Sequence, residues 1–358
     1  MSTSLEARQQ GQVYPVLVGP SAGRLAGFTG GRDRIALVTC ARVLATPHGR
    51  RIAAALARTA PLATTVILPD GERGKTLAVL ERSATRLLHA GLTRRSLVVA
   101  LGGGAVTDAA GFLSAVFMRG VDWLAVPTTV LAMVDAALGG KTAVNLPLAK
   151  NAVGAFHPPV GVLSDPASLA TLPPRELRSG LGEVLKYGLL RPELLSRLDA
   201  RARAGRVDER TIADCARVKL EIVERDPRER AERKLLNLGH TFGHGVEAAG
   251  GFRTWTHGES VAVGMAFAFR LARILGRVGE EEVERVEAVL RGAGLPVSVP
   301  PSAARKARLR MAHDKKRSSS GLLWVLPIRR PHGWAVEWDV VADPAAVGQA
   351  AREIGRPG

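Results

Sequence analysis

Cysteine is almost absent from this 358-residue chain, which carries only Cys40 and Cys215. Two cysteines exclude a disulfide framework and a Cys-based zinc module, and they fit a reducing compartment. Aromatic residues are scarce at 4%, which leaves few platforms for stacking nucleic-acid bases. Lysine is scarce as well, with 9 of the 50 basic residues, and the arginines are scattered along the chain. Long apolar runs are missing. The longest apolar region, 96–118, is broken by glycines and Asp108 and reads as strand–turn–helix, not as a membrane span. The first residues, MSTSLEARQQG, are polar and show no apolar stretch of a signal peptide, so a cytoplasmic location is expected.

What is present is a net charge of +17 and 46% apolar residues. The apolar content is ordinary for a globular chain with a sizeable core. The length suits two domains of about 150 residues or slightly more. The charge points to an anionic partner, either nucleic acid or a small substrate. Scattered arginines and few aromatics favour the substrate, with no nucleic acid and no membrane.

The first half alternates β-branched runs at 13–18, 34–39, 64–68, 97–101 and 123–126 with helical patterns at 49–60 and 76–90. That alternation predicts an α/β domain with a Rossmann-like parallel sheet. A proline-marked junction, DPASLATLPPREL, begins at Asp165. Beyond it, 175–204, 209–225, 235–249, 257–276 and 279–293 read as helices, with a small hairpin near 324–338. The expected division is 1–170, binding a dinucleotide, and 171–358, a mainly α-helical domain. The tail after Ala342 is expected to end loosely.

In LVVALGGGAVTDAAGF a buried strand runs into Gly102, Gly103 and Gly104 and then into a helix. Glycines there let backbone approach a diphosphate, and a helix start offers free N–H donors. A tight turn that binds nothing has the same pattern, since GxGxxG is absent. Glu72 and Lys75 follow one strand end and Thr128 and Thr129 another, and strand ends along one sheet edge are where ligands bind. The segment MVDAALGGKTAVNLPLAKN places Asp135, Lys141, Asn145, Lys150 and Asn151 among small residues, a setting suited to an anion.

Glu183 and Lys186 lie one turn apart on an apolar helix, where buried charge needs a partner or a metal. His240 and His244 are four apart and share a helix face if the helix has begun; His257 opens the next helical pattern. Spacing alone pairs His240 with His244 as metal ligands, with Glu183 as a third and Glu247 and Glu259 as rival carboxylates.

The motifs GGGAVTDAAGF, VPTTVLAMVDAALGGKTAVN, KNAVGAFHPP, LPPREL, GLGEVLKYG, RKLLNLGHTFGHGVE, HGESVAVGM and DKK occur in this order. Together they resemble the 3-dehydroquinate synthases, a sugar-phosphate cyclase family, over roughly residues 13–330. The resemblance implies a lyase that uses NAD and one divalent ion, zinc or cobalt, and works as a homodimer. It implies conversion of 3-deoxy-arabino-heptulosonate 7-phosphate to 3-dehydroquinate and phosphate. Its metal ligands would be Glu183, His240 and His257, which differs from the spacing-based pair. Lys141, Lys186, Arg233, Asn237 and His244 would be catalytic. Arg119, Asp135, Lys150, Asn151, Lys219, Lys315 and Lys316 would bind substrate, Arg119 from a partner subunit. Glu72, Lys75, Gly103, Gly104, Asp108, Thr128 and Thr129 would contact NAD.

Three positions depart from the family's pattern. An acidic residue usual after the second strand is Cys40, the usual DE pair is Asp226–Pro227, and a glycine often found before Arg233 is Ala231. An acid at the first position would bind ribose hydroxyls. Rival readings are another cyclase, such as one making the amino analogue of dehydroquinate, a metal-dependent polyol dehydrogenase, and an inactive basic nucleic-acid-binding protein.

Overall fold

In the computed structural model, residues 3–59, 61–147, 149–311, 317–318 and 321–356 are described. The chain divides into two compact units, Met1–Pro173 with Val207–Arg228, and Pro174–Arg206 with Glu229–Gly358. The reading of 171–358 as one domain therefore differs from this division at Val207–Arg228, which groups with the first unit.

The first unit holds strands β1 (Thr3–Gln9), β2 (Gln12–Val18), β3 (Ile35–Cys40), β4 (Leu62–Leu68), β5 (Leu97–Gly102), β6 (Asp122–Pro127) and β9 (Gly161–Ser164) in one sheet. Their order is β1-β2-β9-β6-β5-β3-β4. Only β1 runs antiparallel to its neighbour; the other pairings are parallel. A separate hairpin, β7 (Lys141–Leu146) and β8 (Ala149–Phe156), lies outside this sheet. The unit's helices are the single turns α1 (Ala26–Thr29) and α2 (Ala41–Leu44), then α3 (Pro47–Thr59), α4 (Leu77–His89), α5 (Gly104–Val116) and α8 (Glu209–Arg225).

Every residue of β3 and β5 is buried. Side chains alternate across the sheet, so the two faces carry different apolar sets. Ala36, Val38, Val98 and Ala100 pack with Leu87 of α4 and Leu113 of α5. Ile35, Leu37, Leu97 and Val99 pack with Ile52 and Leu56 of α3. Sheets covered on both faces read as continuous apolar runs, which is why these strands are legible in sequence. Polar, alternating β1 and the Gly- and Asn-containing hairpin are not. Helix α8 starts at an Asp208 N-cap that accepts from the Thr211 backbone N–H at 2.9 Å. Its Ala216 and Leu220 join the apolar cluster of Ala7, Tyr14 and Val16, which explains its place in this unit.

The second unit contains α6 (Pro174–Leu190), α7 (Pro192–Arg203), α9 (His240–Ala249), α10 (His257–Ile274), α11 (Glu280–Gly292), α12 (Pro301–Met311) and α13 (Pro344–Ile354). Helix α10 is buried nearly all round and is surrounded by α6, α9, α11, α13 and the strand β11 (Gly321–Arg330). The expected hairpin is β11 with β12 (Gly333–Val341), and β10 (Arg317–Ser318) adds a third strand. Phe242 stacks on Phe267 with ring centroids 4.1 Å apart, which ties α9 to α10.

Three sequence expectations are corrected here. The stretch 175–204 is two helices, because Pro192 starts a new one after Arg191. The stretch 235–249 breaks at Gly239, whose φ of 81° is left-handed. The tail does not end loosely: Asp343 caps α13, Pro344 suits its first turn, and Ala346, Ala350, Ala351 and Ile354 are buried. Among the described residues no helix is long and apolar enough to cross a membrane.

One buried polar group makes a pH prediction. His48 is 4% exposed and lies 3.8 Å from the Asp165 carboxylate, which also accepts from Ser21. Burial holds the His48 imidazole below its ordinary value, and Asp165 opposes that only in part. The folded chain therefore resists a proton that the unfolded chain accepts below about pH 6.5. Stability from this group is present above that pH and is lost as pH falls through it. Replacing His48 by Gln should flatten the slope of urea-unfolding free energy between pH 7 and 5; an unchanged slope would contradict this account.

Candidate functional site

The second unit brings three metal-type donors together. Atoms of Glu183, His240 and His257 lie within 4.8 Å of one another. The Glu183 Oε1 atom is 3.4 Å from His240 Nε2 and 3.2 Å from His257 Nε2. Its Oε2 atom pairs with Lys186 Nζ at 2.5 Å, and both of these side chains are essentially fully buried. Nitrogen and oxygen donors in a three-ligand set suit zinc or cobalt and leave a coordination position open.

Small residues make this meeting possible. A Cβ on Gly258 would fall 1.7 Å from the Ser179 carbonyl oxygen, and one on Gly182 would fall 2.6 Å from the Gly258 carbonyl. Helices α6 and α10 thus touch backbone to backbone, and His257, the first residue of α10, reaches Glu183 in the middle of α6. On the other side, a Cβ on Gly264 would fall 1.8 Å from the Gly239 carbonyl oxygen. That contact brings the start of α9, with His240, against α10. The Thr256 hydroxyl and Glu259 close a capping box over the α10 terminus. Glu259 is used there and in a pair with Arg175, so it is not part of the histidine cluster.

Protonation differs between the two histidines. Burial pushes His240 well below its ordinary value, against the pull of Glu183. Burial also disfavours charge on His257, but hydrogen bonds to Glu183 and Glu247 outweigh it and raise the group to about 10. His244 sits one helical turn beyond His240, with ring centroids 5.5 Å apart. It groups with Glu247 and His257 in a second potential donor set. Arg233 is buried, and Asn237 donates to Glu229 at 2.5 Å. Lys315 and Lys316 lie outside the described residues.

The first unit assembles a different polar group. Gly103 is the N-cap of α5, and a Cβ there would meet Thr129 Cγ2 at 3.0 Å. Gly103 has an ordinary negative φ, and a Cβ there would need the Thr129 side chain to give by only a few tenths of an ångström. Lys75 is only 3% exposed and donates to Asp108 at 2.6 Å and to Asn151 at 2.5 Å. Burial raises the Asp108 carboxyl, and Lys75 opposes the rise. Glu72 accepts from the Asn145 side-chain amide at 2.6 Å, and Asn145 Oδ1 accepts the Asn151 backbone N–H at 2.9 Å. Asn145 therefore fastens the β7–β8 hairpin to the strand-end loop that carries Glu72 and Lys75. Asp135 sits in a π-helical turn, Ala132–Ala136, and accepts from Lys219 of α8 at 2.7 Å. Lys141 and Lys150 are exposed on the hairpin, and Thr128 is buried at the end of β6. Arg119 is exposed in a left-handed pair with Met118, at φ 66° and 50°.

Two supporting residues carry no motif signal in the sequence. Gln9 of β1 donates to the Gly139 carbonyl at 2.8 Å and steadies the Gly139–Gly140 turn, both glycines having positive φ. Asp70, beyond the end of β4, lies against the Cys40 thiol, which burial pushes up. It places a carboxylate beside the position where the family's acid is missing.

Lys75 and Asp108 give a stability prediction. Removing one member of a buried pair strands the other's charge, at about 3–5 kcal/mol in typical cases. Lys75→Met should lower the melting temperature clearly, and Lys75→Met/Asp108→Asn should recover most of the loss. Additive losses in the two single variants and the double would refute the coupling.

Comparison with known proteins places these clusters in context. Residues 65–179 match the family model of the 3-dehydroquinate synthase N-terminal domain, and residues 180–317 match its C-terminal counterpart. The chain is 42% identical over 333 residues to the 3-dehydroquinate synthase of Xanthomonas axonopodis pv. citri (strain 306), covering 88% of this chain and 90% of that one. The fold is that of a 2-epi-5-epi-valiolone synthase from Streptomyces hygroscopicus subsp. jinggangensis 5008 with NAD+ and Zn2+ bound. That match has a TM-score of 0.81 and 29% identity over 98% of both chains. A 2-deoxy-scyllo-inosose synthase, complexed with carbaglucose-6-phosphate, NAD+ and Co2+, shares the fold alone. There the TM-score is 0.84 and identity 24%, over 98% of this chain and 99% of that one. With both family models matched end to end and this level of identity, the chain belongs to the 3-dehydroquinate synthase family.

Proposed function

We propose that this chain converts 3-deoxy-arabino-heptulosonate 7-phosphate into 3-dehydroquinate and phosphate, using NAD and one divalent ion, zinc or cobalt. The observation that carries the reading is the Glu183–His240–His257 cluster in a chain of this family. The substrate carries a carboxylate and a phosphate, which suits a protein with a net charge of +17. In this reading the enzyme is a cytoplasmic homodimer and needs neither nucleic acid nor membrane.

Glu183, His240 and His257 would hold the ion, and Lys186 Nζ pairs with the Glu183 carboxylate at 2.5 Å. The backbone N–H groups at Gly103 and Gly104 would face the NAD diphosphate at the α5 N-terminus. Glu72, Lys75, Asp108, Thr128 and Thr129 would surround the rest of the dinucleotide. NAD, when bound, would supply reversible hydride transfer at C5, and the ion would supply stabilisation of negative charge on the C5 oxygen.

The chain's own groups then orient charge. Asp135, Lys150, Asn151, Lys219, Lys315 and Lys316 would bind the sugar acid. Lys141, Lys186, Arg233 and Asn237 would be catalytic groups that orient its charge. Arg119 would reach the phosphate bound by the partner subunit. A ketone at C5 would acidify the C6–H, and the substrate's own phosphate would take that proton as the C7–O bond breaks. His244 would move protons as the reduced ring opens and the resulting enol carbon attacks the C2 ketone. Most of the catalysis is thus positioning and electrostatics.

The test is phosphate release from the heptulosonate 7-phosphate with catalytic NAD, with and without a chelator, followed together with absorbance at 340 nm. Metal-dependent release without NADH accumulation is expected. NADH accumulation would mean a polyol dehydrogenase, and no release with metal and NAD bound would mean another sugar phosphate. Glu183→Ala and His257→Ala should weaken metal binding by more than the about 100-fold seen for outer groups. His244→Ala should keep the metal and slow turnover by about 10²–10⁴-fold. Equal metal loss in His244→Ala would restore the His240–His244 pairing.

A further inference from the structure

The His257 imidazole lies between two carboxylates. Its Nε2 atom is 3.2 Å from Glu183 Oε1, and its Nδ1 atom is 3.4 Å from Glu247 Oε2. Glu247 is 6% exposed and stands on α9, seven residues after His240 and three after His244, on the same helix face. Resting on the reading of Glu183, His240 and His257 as metal ligands, we propose that Glu247 is a positioning residue that holds His257 for metal binding through its Nδ1–H.

A neutral imidazole has one N–H and one lone pair. A metal facing Glu183 and His240 needs the lone pair on Nε2, so the proton must stay on Nδ1. The Glu247 carboxylate accepts that N–H, selects the tautomer, sets the ring plane and makes Nε2 a stronger donor. His257 needs such a hold because it is the first residue of its helix and its side chain is 29% exposed. His244, Glu247 and His257 also have donor atoms within 4.8 Å of one another. A second ion there would require His257 to give up both ring protons when the first site is filled, which favours the positioning role.

The experiment measures zinc affinity of the full-length metal-free protein by competition with a chromophoric chelator. The proteins are wild type, Glu247→Gln, Glu247→Leu, His244→Ala and His257→Ala, with visible absorption of the cobalt forms. Thermal unfolding of each metal-free variant checks the fold. Glu247→Leu should weaken binding by about 10–100-fold at one ion per chain. Glu247→Gln should fall between Leu and wild type, because its carbonyl oxygen accepts the N–H without the charge. The cobalt spectrum should change in Glu247→Leu and recover toward wild type in Glu247→Gln. If Glu247→Leu fails to fold, the near-isosteric Gln variant carries the test alone. Wild-type affinity in folded Glu247 variants, with affinity lost in His257→Ala, overturns the positioning role only. Wild-type affinity in His257→Ala overturns the metal reading and the proposal with it. Two ions per wild-type chain, falling to one in Glu247→Leu and His244→Ala, would make Glu247 a ligand and also overturn it.

Discussion

A carboxylate with no exposure to water, Glu183, is the constraint on which the second unit depends. An isolated buried charge is costly enough that a protein neutralises it or surrounds it with partners. Here both oxygens are used, one toward Lys186 and one toward two histidines on separate helices. The partners come from α6, α9 and α10, so the three helices must approach closely enough for short side chains to meet. Glycines at 182, 258, 239 and 264 permit that approach. The glycines of the histidine-containing motifs are therefore packing residues, and the chemistry beside them depends on that packing. The aromatic stack of Phe242 on Phe267 holds the same helix pair from its apolar side.

The first unit solves a similar problem with a different layout. Lys75, buried at the end of a strand-following loop, is met by Asp108 of α5 and Asn151 of the hairpin. One cation thus links the residues assigned to the dinucleotide with one assigned to the substrate. Asn145 fixes the hairpin against the same loop. The Asp135–Lys219 pair ties a π-helical turn to α8. Lysines are few in this chain, and among the described residues Lys75, Lys186 and Lys219 form buried or nearly buried ion pairs. The arginines serve mainly elsewhere, for example in pairs of Arg270 with Glu287 and Arg329 with Glu282.

Cys40 lies beside a carboxylate that the neighbouring strand's end supplies. The thiol occupies the end of β3, where the family's acid is missing, and Asp70 from beyond the neighbouring strand lies against it. The register Cys40↔Leu68 brings Asp70 there. Nothing in the local sequence around Cys40 announces this neighbour.

The sequence by itself determined the parallel-sheet strands, because β3 and β5 are buried at every residue and β6 at every residue after Asp122, so their runs are almost wholly apolar. It also determined the order of the motifs and hence the family, and the one-turn spacing of Glu183 and Lys186. The edge strand β1, the hairpin and the capped terminal helix were not legible, since their patterns are polar or short and tertiary contacts stabilise them. Spacing along one helix paired His240 with His244. The fold instead brings His257 from the next helix to Glu183, at a distance no periodicity encodes. Val207–Arg228 reads as one more helix of the second half, yet its Ala216 and Leu220 are buried with Tyr14 and Val16. Such pairings depend on which apolar faces meet and how closely backbones approach, and those are properties of the packed chain.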